Sequence, residues 1–97
     1  MQFILIAHDY KDGGLERRLK VRDQHVAMGD EMKAAGNYHM GVALLDENGK
    51  MCGSVMILEY PSRKELDEWL KNEPYILNKV WETWDIKECK IGPSFLK

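Results

Sequence analysis

The pattern of apolar and polar positions divides the chain into short apolar runs and longer stretches of helical period. The runs at residues 3–9, 38–45, 51–60 and 83–91 are typical of β-strands. After the first run, apolar residues recur every three or four positions and predict a helix over residues 15–35. This helix is expected to turn two adjoining stripes towards the core, one of Leu15, Leu19 and Val26 and the other of Val21, His25, Met28 and Met32.

Turn residues support these boundaries. Asp12 is a candidate N-cap for the first helix, and Gly36 stands where a helix end often needs a left-handed residue. The pair Asn48-Gly49 separates the second and third runs and strongly favours a hairpin. These two strands are therefore expected to be antiparallel neighbours.

A second helix is predicted to begin after Ser62. Ser62 and Glu65 have the spacing of a capping box, in which each side chain satisfies a free amide of the first helical turn. Its buried stripe is expected to consist of Leu66, Trp69 and Leu70. Because proline disfavours a helical conformation in the residue before it, this helix is expected to end before Pro74, with one further turn before the last strand.

The order strand, helix, strand, strand, helix, strand predicts one α+β domain over residues 1–97. The central hairpin and right-handed crossovers lead to a ferredoxin-like βαββαβ fold, with a four-stranded antiparallel sheet and two helices on one face. Both faces of the strands are apolar, since Ile4 and Ile6 alternate with Leu5 and Ala7. A sheet with one face in water would alternate apolar with polar residues. We therefore expect a homodimer in which the open sheet faces of two copies pack together.

Composition narrows the classes of partner. The chain is 44% hydrophobic and 31% charged, as in ordinary soluble globular proteins, and no apolar run approaches the roughly 18 residues of a membrane span. A formal net charge of -2 argues against a large basic surface for nucleic acid. The first residues lack a basic leader and a cleavage site, so a cytoplasmic protein that binds neither membrane nor nucleic acid is expected.

No cofactor or metal is expected from the motifs. The histidines and carboxylates lack metal-ligand spacing, and no glycine loop of the phosphate-binding kind is present. His8 could approach His39 on the second strand, but solvent-facing strand-end histidines are the simpler interpretation. Cys52 and Cys89 have no metal-site or disulfide pattern and are expected to be reduced strand residues.

His25 is the best candidate for chemistry. Helical spacing puts it among Val21, Met28 and Met32, where an ionisable ring is poorly solvated and requires a partner. Glu73, in the turn after the second helix, is a plausible one. A carboxylate accepting from one ring nitrogen would fix the tautomer and leave the other nitrogen free for proton transfer. A core histidine bonded to a backbone carbonyl is an equally weighted alternative.

Several short motifs also carry a resemblance to a known family. They are Arg22-Asp23-Gln24-His25, Ala35-Gly36, Gly41, Leu44-Leu45-Asp46 with Gly49, Gly53-Ser54 and Glu73-Pro74-Tyr75. Together they resemble the YciI-like family, which carries Arg-x-x-His on its first helix and Asp-Pro-Tyr or Asp-Pro-Phe after its second. The resemblance implies a dimeric α+β barrel and a histidine and aspartate pair in a cleft.

Carried onto this chain, the family's pair becomes His25 and Glu73, with Arg22, Gly41 and Tyr75 bounding a substrate pocket. Glutamate replaces the family's aspartate and lengthens the arm by one methylene. The Gly-Pro or Gly-Gly often seen on the family's second strand is Gly41-Val42 here.

Three functions remain open. The first is a metal- and nucleotide-independent lyase or isomerase that uses His25 and Glu73 as an acid-base pair on a small molecule. The second is a non-catalytic dimeric module that binds a small ligand or a protein in the same cleft. The third is a purely structural hydrogen bond between the two helix ends.

Overall fold

The computed structural model describes residues 1–96. Its elements in chain order are β1 (Gln2–Asp9), α1 (Gly14–Ala34), β2 (Tyr38–Leu45), β3 (Met51–Glu59), α2 (Arg63–Leu70), the short α3 (Pro74–Leu77), β4 (Trp81–Cys89) and a 3₁₀ turn at Pro93–Phe95. None of the helices in this part of the chain is long and apolar enough to cross a membrane.

The strands form one sheet in the order β2-β3-β1-β4, with antiparallel neighbours throughout. This arrangement confirms the predicted ferredoxin-like α+β fold. The strand β4 begins two positions earlier than residue 83, because Trp81 already pairs with Asp9 beyond a register shift at which Glu82 is the extra residue of β4. That pairing brings the Trp81 ring under the helices.

The core lies between one face of the sheet and the helices. It is formed by side chains that are almost completely shielded from solvent, among them Phe3, Leu5, Ala7, Val21, Met32, Met56, Leu58, Leu66, Trp69, Tyr75, Val80 and Trp81. On the opposite face Ile4 pairs with Ile57 and Ile6 pairs with Val55. Within residues 1–96, no helix covers this second apolar face.

The helix α1 is rotated relative to the sequence expectation. Leu19 and Val26 are 56% and 42% exposed, so the prediction that their stripe faces the core is wrong. The second predicted stripe is buried at Val21 and Met32, and Arg18 joins it in the core. A guanidinium occupies a core position because a carboxylate of β1 satisfies it there.

The helix ends follow the sequence in most respects. The predicted Asp12 cap is wrong, because α1 begins after Gly13, whose φ is 79° and which provides no side-chain cap. Gly36 is left-handed as expected, with a φ of 84°. The Ser62 hydroxyl accepts from the Glu65 amide at 3.2 Å, which confirms the N-terminal cap of α2.

A buried ion pair connects β1 to α1. Arg18 donates to both carboxylate oxygens of Asp9, at 2.7 and 2.9 Å, and to the Ser54 hydroxyl at 2.8 Å. The Trp81 indole donates to the same hydroxyl at 3.2 Å. Burial lowers the pKa of Arg18, but the hydrogen bonds and charge of Asp9 outweigh it and hold that pKa above its ordinary value.

Replacing Arg18 by Met should destabilise the protein by about 3 to 5 kcal/mol, because the change leaves Asp9 buried without its partner. The matched control is Arg63→Met, which breaks the half-exposed pair of Arg63 with Asp67 and should cost about 0 to 1 kcal/mol. Urea unfolding of both variants measures the difference. Equal losses would show that the buried pair contributes no more than a surface pair.

Candidate functional site

The contact at the centre of the site joins α1 to the turn before α3. His25 Nδ1 lies 2.5 Å from Glu73 Oε1, and the Glu73 side chain is 1% exposed. The same oxygen accepts from the Tyr75 amide at 3.2 Å, so Glu73 also caps α3. Because a carboxylate only accepts hydrogen bonds, Nδ1 carries the proton and Nε2 is left for another partner.

The turn Glu73-Pro74-Tyr75 supplies a second contact to the imidazole. The Tyr75 ring stacks on His25 with centroids 3.9 Å apart and planes 8° from parallel. The Arg18 guanidinium lies 4.6 Å from the centroid of the Tyr75 ring. Arg18 and His25 are seven residues apart on α1, or about 10.5 Å along the helix, which is enough for an aromatic ring between them. The ring is therefore held by two side chains of one helix.

Beside the imidazole, α1 and the β2–β3 hairpin enclose a cleft of about 230 Å³. Its walls include four of the five residues expected from sequence, Arg22, His25, Gly41 and Tyr75. Glu73, the fifth, lies behind His25. A cavity of about 150 Å³ accommodates benzene, so the cleft has room for one substituted ring.

Both substitutions relative to the family pattern are compatible with this geometry. The longer arm of Glu73 still reaches His25 Nδ1. Gly41 lines the cleft, and Val42, which follows it along β2 and pairs with Val55, presents its side chain to the opposite face of the sheet.

The other predicted contacts do not form a site. His8 lies opposite Gly53 in the sheet, whereas His39 lies at the other end and approaches Glu59, with Nε2 2.7 Å from Oε1. β3 separates the two strands that carry these histidines. Residues 1–96 contain no group of three or more His, Cys, Asp or Glu side chains arranged to hold a metal ion.

Among the residues of the cleft wall that sequence reasoning missed are Arg18, Tyr38 and Ser54. Arg18 could have been found, because it lies three positions before Val21 and seven before His25, on the same helical stripe. No local pattern indicates Ser54 or Tyr38. Their positions depend on strand register and on the distance between α1 and the sheet.

Burial and the Glu73 charge act on the tyrosines around the site. Burial raises the pKa of Tyr38, and the negative charge of Glu73 acts in the same direction. Burial also raises the pKa of Tyr75, against the opposing charges of Arg18 and Arg22. Burial is the main cause that raises the pKa of Tyr60 to about 12, and the negative charge of Glu73 adds to it. These phenols therefore remain protonated at neutral pH and can donate hydrogen bonds.

The architecture and the sequence agree on the family. The family model of the YCII-related domain matches residues 1–90. The chain belongs to the YCII-related domain family. The resemblance seen in the motifs is thereby confirmed. No curated protein matches this YCII-related domain by sequence.

Solved structures similar to this YCII-related domain include an enzyme. TftG, the 5-chloro-2-hydroxyhydroquinone dehydrochlorinase of Burkholderia phenoliruptrix, in complex with 2,5-dihydroxybenzoquinone, superposes with a TM-score of 0.83. It is 22% identical, and the match covers 97% of this chain and 98% of TftG. The protein Atu4242 of Agrobacterium tumefaciens is 20% identical with a TM-score of 0.55, over 96% of this chain and 95% of its own. At these identities the likeness shows the fold.

Glu73→Gln should lower the pKa of Tyr60 from about 12 towards its ordinary value of 10.0, because the substitution removes a nearby negative charge. In the parent the folded state disfavours the phenolate, so stability falls as the pH rises from 10.0 towards 12. Tyrosinate absorbance, corrected with Tyr60→Phe, measures the titration. Glu68→Gln, which changes an exposed carboxylate, should leave it unchanged. An unaltered pKa in Glu73→Gln would contradict the electrostatic coupling.

Proposed function

We propose that this YCII-related domain is an acid-base enzyme of lyase or isomerase type that acts on a small, oxygenated ring compound in the cleft beside His25. The observation that carries the proposal is the short contact between His25 Nδ1 and the buried Glu73 carboxylate. Such a pair fixes the tautomer and orientation of an imidazole, which is the usual requirement for a histidine that transfers protons.

His25 Nε2 is the atom proposed to exchange the proton. It accepts a proton from a hydroxyl or an acidic carbon of the ring, and Glu73 stabilises the imidazolium that forms. The electron pair of the broken bond then shifts through the ring. In an elimination that pair forms a new π bond, and the bonding pair of the carbon–chlorine bond leaves with chloride. In an isomerisation the proton returns to another atom of the ring. Neither reaction changes the oxidation state of a protein group.

The shape and charge of the cleft support a planar, anionic ligand. Its volume suits a single ring, and its walls combine apolar side chains with the basic side chains of Arg18, Arg22 and Lys33 and the acidic side chain of Asp30. An arginine beside a proton-transfer residue stabilises negative charge that develops on ring oxygens. The name of TftG specifies a hydroxylated, chlorinated ring as the substrate of that enzyme. We carry that class of compound to this chain as a proposal.

The first test uses 5-chloro-2-hydroxyhydroquinone as substrate and chloride release as the measurement. His25→Asn and Glu73→Gln should each lower the rate, with about 10²- to 10⁴-fold expected for loss of the general base. His39→Asn is the matched control, because it removes the histidine of an exposed histidine and glutamate pair at a similar distance. Parent-level turnover by His25→Asn would contradict the proposed mechanism.

A binding module without catalysis predicts a different result. In that case the parent would bind 2,5-dihydroxybenzoquinone without turning over the chlorinated ring. The double variant His25→Asn, Glu73→Gln would then bind the same probe with parent affinity. A purely structural pair predicts that the variants lose about 1 to 3 kcal/mol of stability and no ligand-dependent property.

We further propose that two copies associate through the uncovered sheet face. Met40, Val42 and Ile6 on that face are 62%, 50% and 37% exposed. In the sheet Val42 pairs with Val55, which in turn pairs with Ile6, so the apolar residues are contiguous across three strands. Large contiguous apolar patches on a folded domain mark association surfaces.

Val42→Glu should convert the dimer into a monomer, because it would bury a charge between two apolar faces. Light scattering coupled to size exclusion measures the mass, which we expect to be twice the 11.3 kDa of the chain for the parent. Leu19→Glu is the control, since Leu19 is 56% exposed on a helix. A monomeric parent at micromolar concentration would contradict the proposal.

A further inference from the structure

Tyr38 occupies a slot between α1 and β2 that two glycines leave open. A Cβ added to Gly29 on α1 would lie 3.1 Å from Cε2 of the Tyr38 ring. A Cβ added to Gly41 on β2 would lie only 1.5 Å from the Tyr38 hydroxyl oxygen. The edge of the Tyr38 ring therefore lies against Gly29 of α1, and its hydroxyl lies over the Gly41 backbone of β2. Any side chain at Gly41 would displace that hydroxyl.

The Tyr38 hydroxyl is polar and has no partner in the described part of the chain. None of the side-chain hydrogen bonds within residues 1–96 involves it. The hydroxyl oxygen is also not fully enclosed, because the fully enclosed polar atoms without a partner do not include it. Tyr38 lines the same cleft as His25 and Tyr75. The hydroxyl is consequently open to the cleft, where a ligand or water must satisfy it.

We propose that the Tyr38 hydroxyl donates a hydrogen bond to an anionic ring oxygen of the ligand that His25 acts on. This inference rests on the proposed function and adds a binding residue to it. Because burial raises the pKa of Tyr38, the phenol keeps its proton at neutral pH and acts as a donor. Helix α1 contributes His25 and strand β2 contributes Tyr38, so the ligand oxygens are recognised from both walls of the cleft.

The pair of glycines holds the Tyr38 ring in place. Gly29 makes room for the edge of the ring. Gly41 makes room for the hydroxyl oxygen and for Cζ, which would lie 1.5 and 2.6 Å from an added Cβ. The hydroxyl is thereby kept at a fixed position beside the cleft.

The experiment measures binding of 2,5-dihydroxybenzoquinone, a planar compound with acidic ring hydroxyls, by isothermal titration calorimetry. Tyr38→Phe should raise the dissociation constant about tenfold or more, the usual effect of losing a hydrogen bond to a charged oxygen. Gly41→Ala should weaken binding similarly, because its Cβ displaces the hydroxyl. Tyr60→Phe is the matched control, since Tyr60 is half-buried and lies outside the cleft wall, and it should keep the parent dissociation constant within twofold.

Each result is decisive. Parent affinity in Tyr38→Phe would overturn the role of the hydroxyl. The His25 mechanism would still stand in that case, provided that the parent releases chloride from the chlorinated ring. A parent that does not bind the probe would overturn the ring-oxyanion ligand class, and this inference with it. Equal weakening in Tyr38→Phe and Tyr60→Phe would assign the loss to general destabilisation and would also overturn the inference.

Discussion

The buried pair of Asp9 and Arg18 is the constraint on which the rest of the site depends. A guanidinium in a protein core is tolerated only when its hydrogen bonds are satisfied, and here Asp9 and Ser54 on two adjacent strands satisfy it. The pair therefore sets the rotation of α1 about its own axis. Because His25 lies two turns further along the same stripe, that rotation also sets where the imidazole points. Leu19 and Val26 are exposed for the same reason, since the stripe that contains Arg18 has taken their place.

One turn supplies both partners of the imidazole. Glu73 begins α3 with its carboxylate bonded to the Tyr75 amide, and the following residues bring the Tyr75 ring onto His25. Local capping and the proposed chemistry thus use the same oxygen. Arg18 approaches the Tyr75 ring in turn, so the ion pair of the core and the His25 contact are linked through a single aromatic side chain. A substitution of any one of these groups is therefore expected to perturb the others.

We propose different functions for the two faces of the sheet. The face under the helices carries the core and, at its β2–β3 edge, the cleft. The open face carries apolar residues at the centre of three strands and is the surface that we assign to a second copy. The cleft and the proposed dimer surface share strand β2, where Gly41 faces the cleft side and Val42 the other side. Because side chains alternate along a β-strand, one short segment can serve both the proposed ligand binding and the proposed association.

The sequence by itself determined the order of elements, the hairpin at Asn48-Gly49, the end of α1 at Gly36 and the cap of α2 at Ser62, because each follows from the conformational preference of a few adjacent residues. It also indicated His25 and, through family motifs, Glu73. Only the tertiary structure decided the rotation of α1, the pairing of Arg18 with Asp9 and Ser54, and the position of Tyr38 between Gly29 and Gly41. These contacts join residues that are distant in the chain, and their energies depend on strand register and on helix-to-sheet distance. Local periodicity ranked Leu19 above Arg18 as a core residue, because hydrophobicity alone cannot anticipate a carboxylate that reaches the same position from another strand.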